Sequence, residues 1–248
     1  MVLVFDVLAD LAMFRKSYTT TSQVSYSFPP PTAVAGLLAA ITGVDHNAAE
    51  DSKNAAFWKA LSGTRIAVAI KNPIRWFSTT INLLKYKSPN ANLDEHIQSK
   101  HQLLKNPCYR IYVKDGTLYE ALKQRLEKRE FIFTPYLGTA YALADILYRG
   151  EFEEKEIEEL PTWVDTIIPL YEGVKPDVKK SGPLHREVVP FRMNENRELQ
   201  STVAVVYSDY PSISSEEGTV SGRLWLKEKG KLQVSQVGAE RVSWFEPW

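Results

Sequence analysis

Residues Ser25–Gly43 read SYSFPPPTAVAGLLAAITG, a hydroxyl- and proline-rich lead into a run of small apolar side chains. Its second half, Ala33–Thr42, is small and apolar on nearly every side, so a helix of about three turns there has to be buried. Pro29-Pro30-Pro31 makes a stiff entry. Proline in a first helical turn costs nothing, because the N–H it lacks would be unpaired there anyway. Gly43 supplies a natural stop. Upstream, Val2–Leu8 (VLVFDVL) is a short β-branched and apolar run that reads as a buried strand. Between the two lies Lys16–Ser27, rich in Ser, Thr and Tyr, a loop long enough to be functional.

Downstream, Ala55–Leu61 suggests a second short helix, and Arg65–Ile70 and Arg75–Leu84 read as strands. Tyr86–Lys105 has weak periodicity and is expected to be an irregular excursion. Cys108–Val113 is a clear strand closed by the turn Lys114-Asp115-Gly116. Leu118–Arg129 places apolar residues at 118, 119, 122 and 126 with charges elsewhere, the pattern of an amphipathic helix. Phe131–Tyr136 leads into Leu137-Gly138-Thr139 and an apolar stretch through Tyr148. The order predicts an α+β protein whose first 150 residues form a ferredoxin-like βαββαβ unit with extra material in its middle. Helices would cover one face of its sheet and leave the other free to bind. At Gly150 the composition changes, with six glutamates in Glu151–Glu159 and then Pro161, an expected boundary or exposed turn. Residues 151–248 read as a smaller β-rich domain, with strands at Thr166–Tyr171, Glu187–Phe191, Thr202–Tyr207, Arg223–Leu226 and Val242–Phe245.

No apolar run approaches the roughly 20 residues of a membrane-spanning helix, and MVLVFDVLADL lacks the basic start of a secretory signal. The single cysteine, Cys108, allows no internal disulfide, which fits a reducing cytoplasm. Net charge is zero, 30 basic against 30 acidic groups, but the distribution is uneven. Residues 51–114 carry 11 basic and 3 acidic groups, a surplus of 8 that the rest of the chain balances. Such a region can collect phosphates, since each Lys or Arg on a phosphate releases condensed counterions; it can also be a solvated basic face.

Signals for catalysis are poor. There is no Gly-rich phosphate loop, no dinucleotide fingerprint and no nucleophile elbow. Of four histidines only His96 and His101 lie near each other, in a segment without cysteines, so neither a metal site nor a cofactor is expected. Three constellations suit RNA instead. Phe14-Arg15-Lys16, followed by Tyr18 and the hydroxyl loop to Tyr26, combines a phosphate fork, hydroxyl donors and rings that either stack on bases or pack in the core. The Pro-Pro-Pro-Thr start offers backbone N–H groups to an anion. Lys71, Arg75, Lys85, Lys87, Lys100 and Lys105, interleaved with Trp76, Phe77 and Tyr86, suit a single strand with splayed bases.

Ser25–Gly43, preceded by Phe14-Arg15, resembles the N-terminal signature of the CRISPR-associated Cas-five family, of the RAMP superfamily. Leu104–Val113 (LKNPCYRIYV) and Pro135–Thr139 (PYLGT) are similar to the same family, in particular its type I-B branch. The resemblance implies an RNA-recognition-motif-like ferredoxin fold with a thumb inserted at about residues 76–106. It implies a non-catalytic subunit of a type I Cascade surveillance complex in antiviral defence. Such a subunit binds the 5′ handle of the crRNA, caps the backbone filament, touches the backbone and large subunits, and meets target DNA only indirectly. The handle-binding residues carried over are Phe14, Arg15, Ser25, Tyr26, Thr32, Lys85, Lys87 and Gly138. One branch, from type I-C systems, is a metal-independent endoribonuclease that processes precursor crRNA with a Tyr, a Lys and a His. Here Tyr112 and Lys114 end a strand without a neighbouring histidine, and His101 lies upstream, so that activity is the alternative reading.

Overall fold

The computed structural model of the 248-residue chain describes residues 1–20, 22–44, 55, 57–84, 96–212 and 222–248. It is a mixed α/β protein in which strands outnumber helices. The central sheet is built from β1 (Val2–Leu8), β2 (Arg65–Ile70), β5 (Cys108–Lys114) and β6 (Asp145–Phe152). They lie in the order β6-β1-β5-β2, each antiparallel to its neighbours. Helix α1 (Pro31–Thr42) lies between β1 and β2 in sequence, and α2 (Tyr119–Lys128) between β5 and β6.

Period-two alternation divides this sheet into two buried faces. Leu3, Phe5 and Val7 of β1, Ile66, Val68 and Ile70 of β2, and Tyr109, Ile111 and Val113 of β5 share one core with Val34, Leu37, Leu38 and Ile41 of α1 and Leu122 and Leu126 of α2. Helix α1 ends where expected: Gly43 is left-handed and its N–H donates to Ala39 O at 2.8 Å.

The opposite face, expected to be free, is covered. Val2, Val4, Ala67, Ala69 and Tyr112 pack against Val237, Val242 and Trp244 from the C-terminal part of the chain. Two alanines in β2 leave space for the Trp244 indole, which is 1% exposed. Strands β10 (Val234–Val237) and β11 (Glu240–Ser243) form the covering hairpin. Further C-terminal strands are β7 (His185–Met193) paired with β8 (Leu199–Tyr207), and β9 (Leu224–Lys229). Val189, Phe191, Val203, Val205, Tyr207, Phe245 and Trp248 belong to the same buried cluster as α1 and β1. Main-chain bonds also close the rim of β2: Ile167 N donates to Val68 O, Phe245 N to Ile66 O and Trp248 N to Thr64 O, at 2.9, 3.0 and 3.1 Å.

Between β2 and β5 the chain forms a long antiparallel hairpin of β3 (Trp76–Leu84) and β4 (His96–Lys105), with Trp76 opposite Leu104 and Leu84 opposite His96. The segment expected to be irregular is thus a strand from His96 onward. Leu11–Ala12 and Ser22–Gln23 pair with β4 and fix the hairpin to the body. The glutamate-rich stretch is also more ordered than expected. Glu151 lies in β6 and accepts from Tyr119 and Lys123, while Glu154 accepts from Lys114 and Ser235. Among the described residues no helix is long and apolar enough to cross a membrane.

Candidate nucleic-acid interface

Phe14–Arg15 forms a two-residue antiparallel bridge with Ser25–Tyr26. Buried Ser25 Oγ accepts from Phe14 N at 2.9 Å and donates to Tyr26 O at 2.7 Å. The intervening turn is tied by Lys16 N to Val24 O at 2.9 Å. Arg15 projects outward from this frame. Its Nη2 donates to Thr19 O at 2.8 Å, which holds the guanidinium and leaves most of its donors for a ligand.

Gly138 joins the same cluster. At φ +85° its Cβ position would fall 2.0 Å from Met13 O and 3.1 Å from the Phe14 ring. Only a glycine lets the 137–138 backbone approach this closely, and Met13 N donates to Leu137 O at 3.1 Å across the gap. Five of the predicted residues, Phe14, Arg15, Ser25, Tyr26 and Gly138, therefore meet in one place. Thr32 stands half-buried at the start of α1. Lys85 and Lys87 lie outside the described residues.

Several of these side chains are committed elsewhere. Phe14 is 4% exposed and packs edge-on against Tyr109, with ring centroids 6.1 Å apart, so its ring belongs to the core. Tyr26 is buried, with Lys16 Nζ 5.1 Å from its ring centre; burial first, then Glu187 and Tyr18, raise its pKa. Lys16 is ion-paired to Glu187 of β7. At the helix start, Ala33 N and Val34 N both donate to Pro30 O, and Pro31 has no N–H, so the anticipated anion site shrinks to one donor, Thr32 N.

The hairpin displays the expected mixture of bases and rings: Arg75, Trp76, Phe77, Lys100 and Lys105 are all exposed. Its inner face differs. His101 is 5% exposed, with Thr79 opposite it on β3 and Gln23 beside it on the other flank. Tyr141 OH lies 3.3 Å from His101 Nδ1, and among the described residues Nε2 has no partner. Burial first, then the Arg15 charge, lower the His101 pKa. Sequence reading considered this residue only for metal or nuclease chemistry; the alternation within β4 was the missed signal.

Three further basic groups of the middle segment, Lys71, Arg110 and Lys114, turn inward. Arg110 Nε and Nη2 donate to the two Asp6 carboxylate oxygens at 2.6 and 3.0 Å, and its Nη1 to Glu240 at 2.8 Å. Lys71 Nζ and Tyr112 OH donate to Glu240 at 2.8 and 2.5 Å. Lys114 Nζ donates to Glu154 at 2.6 Å and lies 4.4 Å from the Trp244 ring centre. Lys71 is therefore not part of an RNA-facing row. Burial first, then Glu240, push the Tyr112 phenol pKa far up. No group of three metal-ligating side chains occurs among the described residues.

The family model described as "CRISPR-associated protein (Cas_Cas5)" matches residues 2–150. A chain of a "CRISPR RNA-guided surveillance complex" is similar in fold, with a TM-score of 0.53 at 15% identity over 90% of this chain and 91% of that one. A CRISPR protein from Archaeoglobus fulgidus gives a TM-score of 0.52 at 15% identity over 98% of both chains. No curated protein matches the sequence.

Proposed function

The chain belongs to the Cas-five family of CRISPR-associated proteins, and on that premise we propose that it is the non-catalytic subunit of a Cascade-type complex, of the type I-B branch, that holds the 5′ handle of the crRNA. The carrying observation is the Arg15 cluster: an outward guanidinium on a bridge braced by Ser25 and by the close pass of Gly138, beside a hairpin bearing exposed Trp76, Phe77, Arg75, Lys100 and Lys105. A forked cation for phosphate and exposed rings for unstacked bases are the groups that single-stranded RNA requires. The strand order β6-β1-β5-β2 with two helical crossovers on one face supports reading residues 1–150 as the ferredoxin-like unit. The β3–β4 hairpin is then the thumb that meets the backbone subunit, and the large subunit docks on the outer faces. The complex works in the cytoplasm in antiviral defence.

The absence of chemistry is part of this proposal. A ribonuclease centre built on Tyr112 and Lys114 would need both side chains at a ligand surface, and both are buried and bonded to carboxylates. Fluorescence polarisation with labelled handle RNA, over a salt series, tests the binding. Arg15→Ala should weaken binding about tenfold or more and lower the salt slope by about 0.7, with unchanged thermal stability. Incubation with repeat RNA in EDTA should leave the RNA intact; specific cuts abolished by changing Tyr112 or Lys114 would establish the endoribonuclease instead.

A further inference from the structure

Within the hairpin the inner face of β4 should carry apolar residues, since it packs on the body, and Leu103 does so. Ser99 and His101, both buried, break the pattern, and His101 does so with a bulky polar ring. It is almost wholly buried, yet among the described residues its Nε2 has no partner and its Nδ1 has only the Tyr141 hydroxyl. That contact, at 3.3 Å, is long for a bond between a hydroxyl and a ring nitrogen. A buried ring nitrogen left unpaired is costly, so an apolar residue would serve packing better. The surroundings are polar as well. Thr79 and Gln23 flank the imidazole in register on the same sheet face, and the Arg15 guanidinium is near enough to depress its pKa. Tyr141, whose hydroxyl meets the ring at Nδ1, is 52% exposed, and among the described residues that hydroxyl is held only by His101 and a 4.0 Å contact with Met13 Sδ.

We infer that His101 is a further RNA contact: its ring nitrogens hydrogen-bond the strand next to the phosphate held by Arg15, once the Tyr141 hydroxyl leaves Nδ1. This rests on the handle-binding reading above and adds to it a neutral, orienting hydrogen bond beside the charged one. Ring nitrogens at this depth select a group that can reach between Tyr141 and β4, such as the ribose hydroxyl or a base edge.

The test uses the full chain and two fluorescein-labelled single strands of handle sequence, one RNA and one DNA. His101→Phe keeps the ring and its packing and removes the nitrogens. It should weaken RNA binding about tenfold with the salt slope unchanged, because no charge is lost, and with the melting temperature held or raised. Arg15→Ala, in contrast, should reduce the slope. If His101→Phe binds RNA like the wild type while Arg15→Ala is impaired, the inference fails and the handle-binding reading stands; the ring nitrogens then merely hold water. If the wild-type chain binds neither strand, the handle-binding reading fails and His101 with it. If His101→Phe lowers the melting temperature and loses RNA and DNA binding equally, its role is packing and the inference is overturned.

Discussion

Gly138 shows how a residue without a side chain can set the position of one that has a long one. Its backbone presses on the Met13 carbonyl just before the Phe14–Arg15 bridge, so any Cβ there would drive the two segments apart. Gly138→Ala should cost more than about 1 kcal/mol, since the replacement has to adopt a left-handed backbone in a space already occupied. Chemical denaturation measures that loss, and RNA titration of the folded fraction should show weakened binding as Arg15 shifts. The motif Leu137-Gly138-Thr139 was legible in the sequence, but the reason for its glycine was not, because Met13 is distant in the chain. Phe14 illustrates the opposite limit: a ring beside an arginine reads equally as a base platform or as core, and only Tyr109, across the sheet, decides it.

At the level of elements, the uneven charge along the chain has in part an intramolecular purpose. Lys71 and Arg110, which sequence counting assigned to the basic surplus, reach Glu240 on β11, and Lys114 reaches Glu154. Counting sees the surplus but cannot see that alternate residues of β5 point toward a second layer. Apolar periodicity, in contrast, located β1, α1, β2, β5 and α2 to within a residue or two, because their spacing is local. The hairpin strand β4 was missed because its alternation mixes His, Gln, Ser and Lys with leucines. Glu240 is the keystone of the charge network. Burial alone would raise its pKa, but hydrogen bonds from Lys71, Tyr112 and Arg110 hold it below its ordinary 4.5. A carboxylate depressed in the folded state contributes stability above its unfolded pKa and loses it as pH falls through the folded value. Glu240→Gln should therefore cost about 3 kcal/mol near neutral pH, at the low end for a broken buried pair, as its side chain keeps 19% of its exposure. Urea midpoints between about pH 6 and pH 3 should fall more steeply for the wild type than for the variant.

For the molecule as a whole, the boundary expected near Gly150 coincides with a composition change but not with a gap in packing. Strand β6 runs through it, and the buried cluster around α1 includes Phe245 and Trp248. A fragment of residues 1–150 would expose the Ala67–Tyr112 face and strand Lys71 and Lys114 without their carboxylates. It should lack a cooperative thermal transition by circular dichroism, whereas the full chain should melt in one step. One consequence of the closed rim of β2 concerns association. Edge strands with unsatisfied amides invite sheet-to-sheet addition, and here Ile167, Phe245 and Trp248 already occupy that template. Neighbouring copies consequently find no ladder to extend from that side, so ribbon-like growth is blocked there, and contacts made on that flank must rely on side chains.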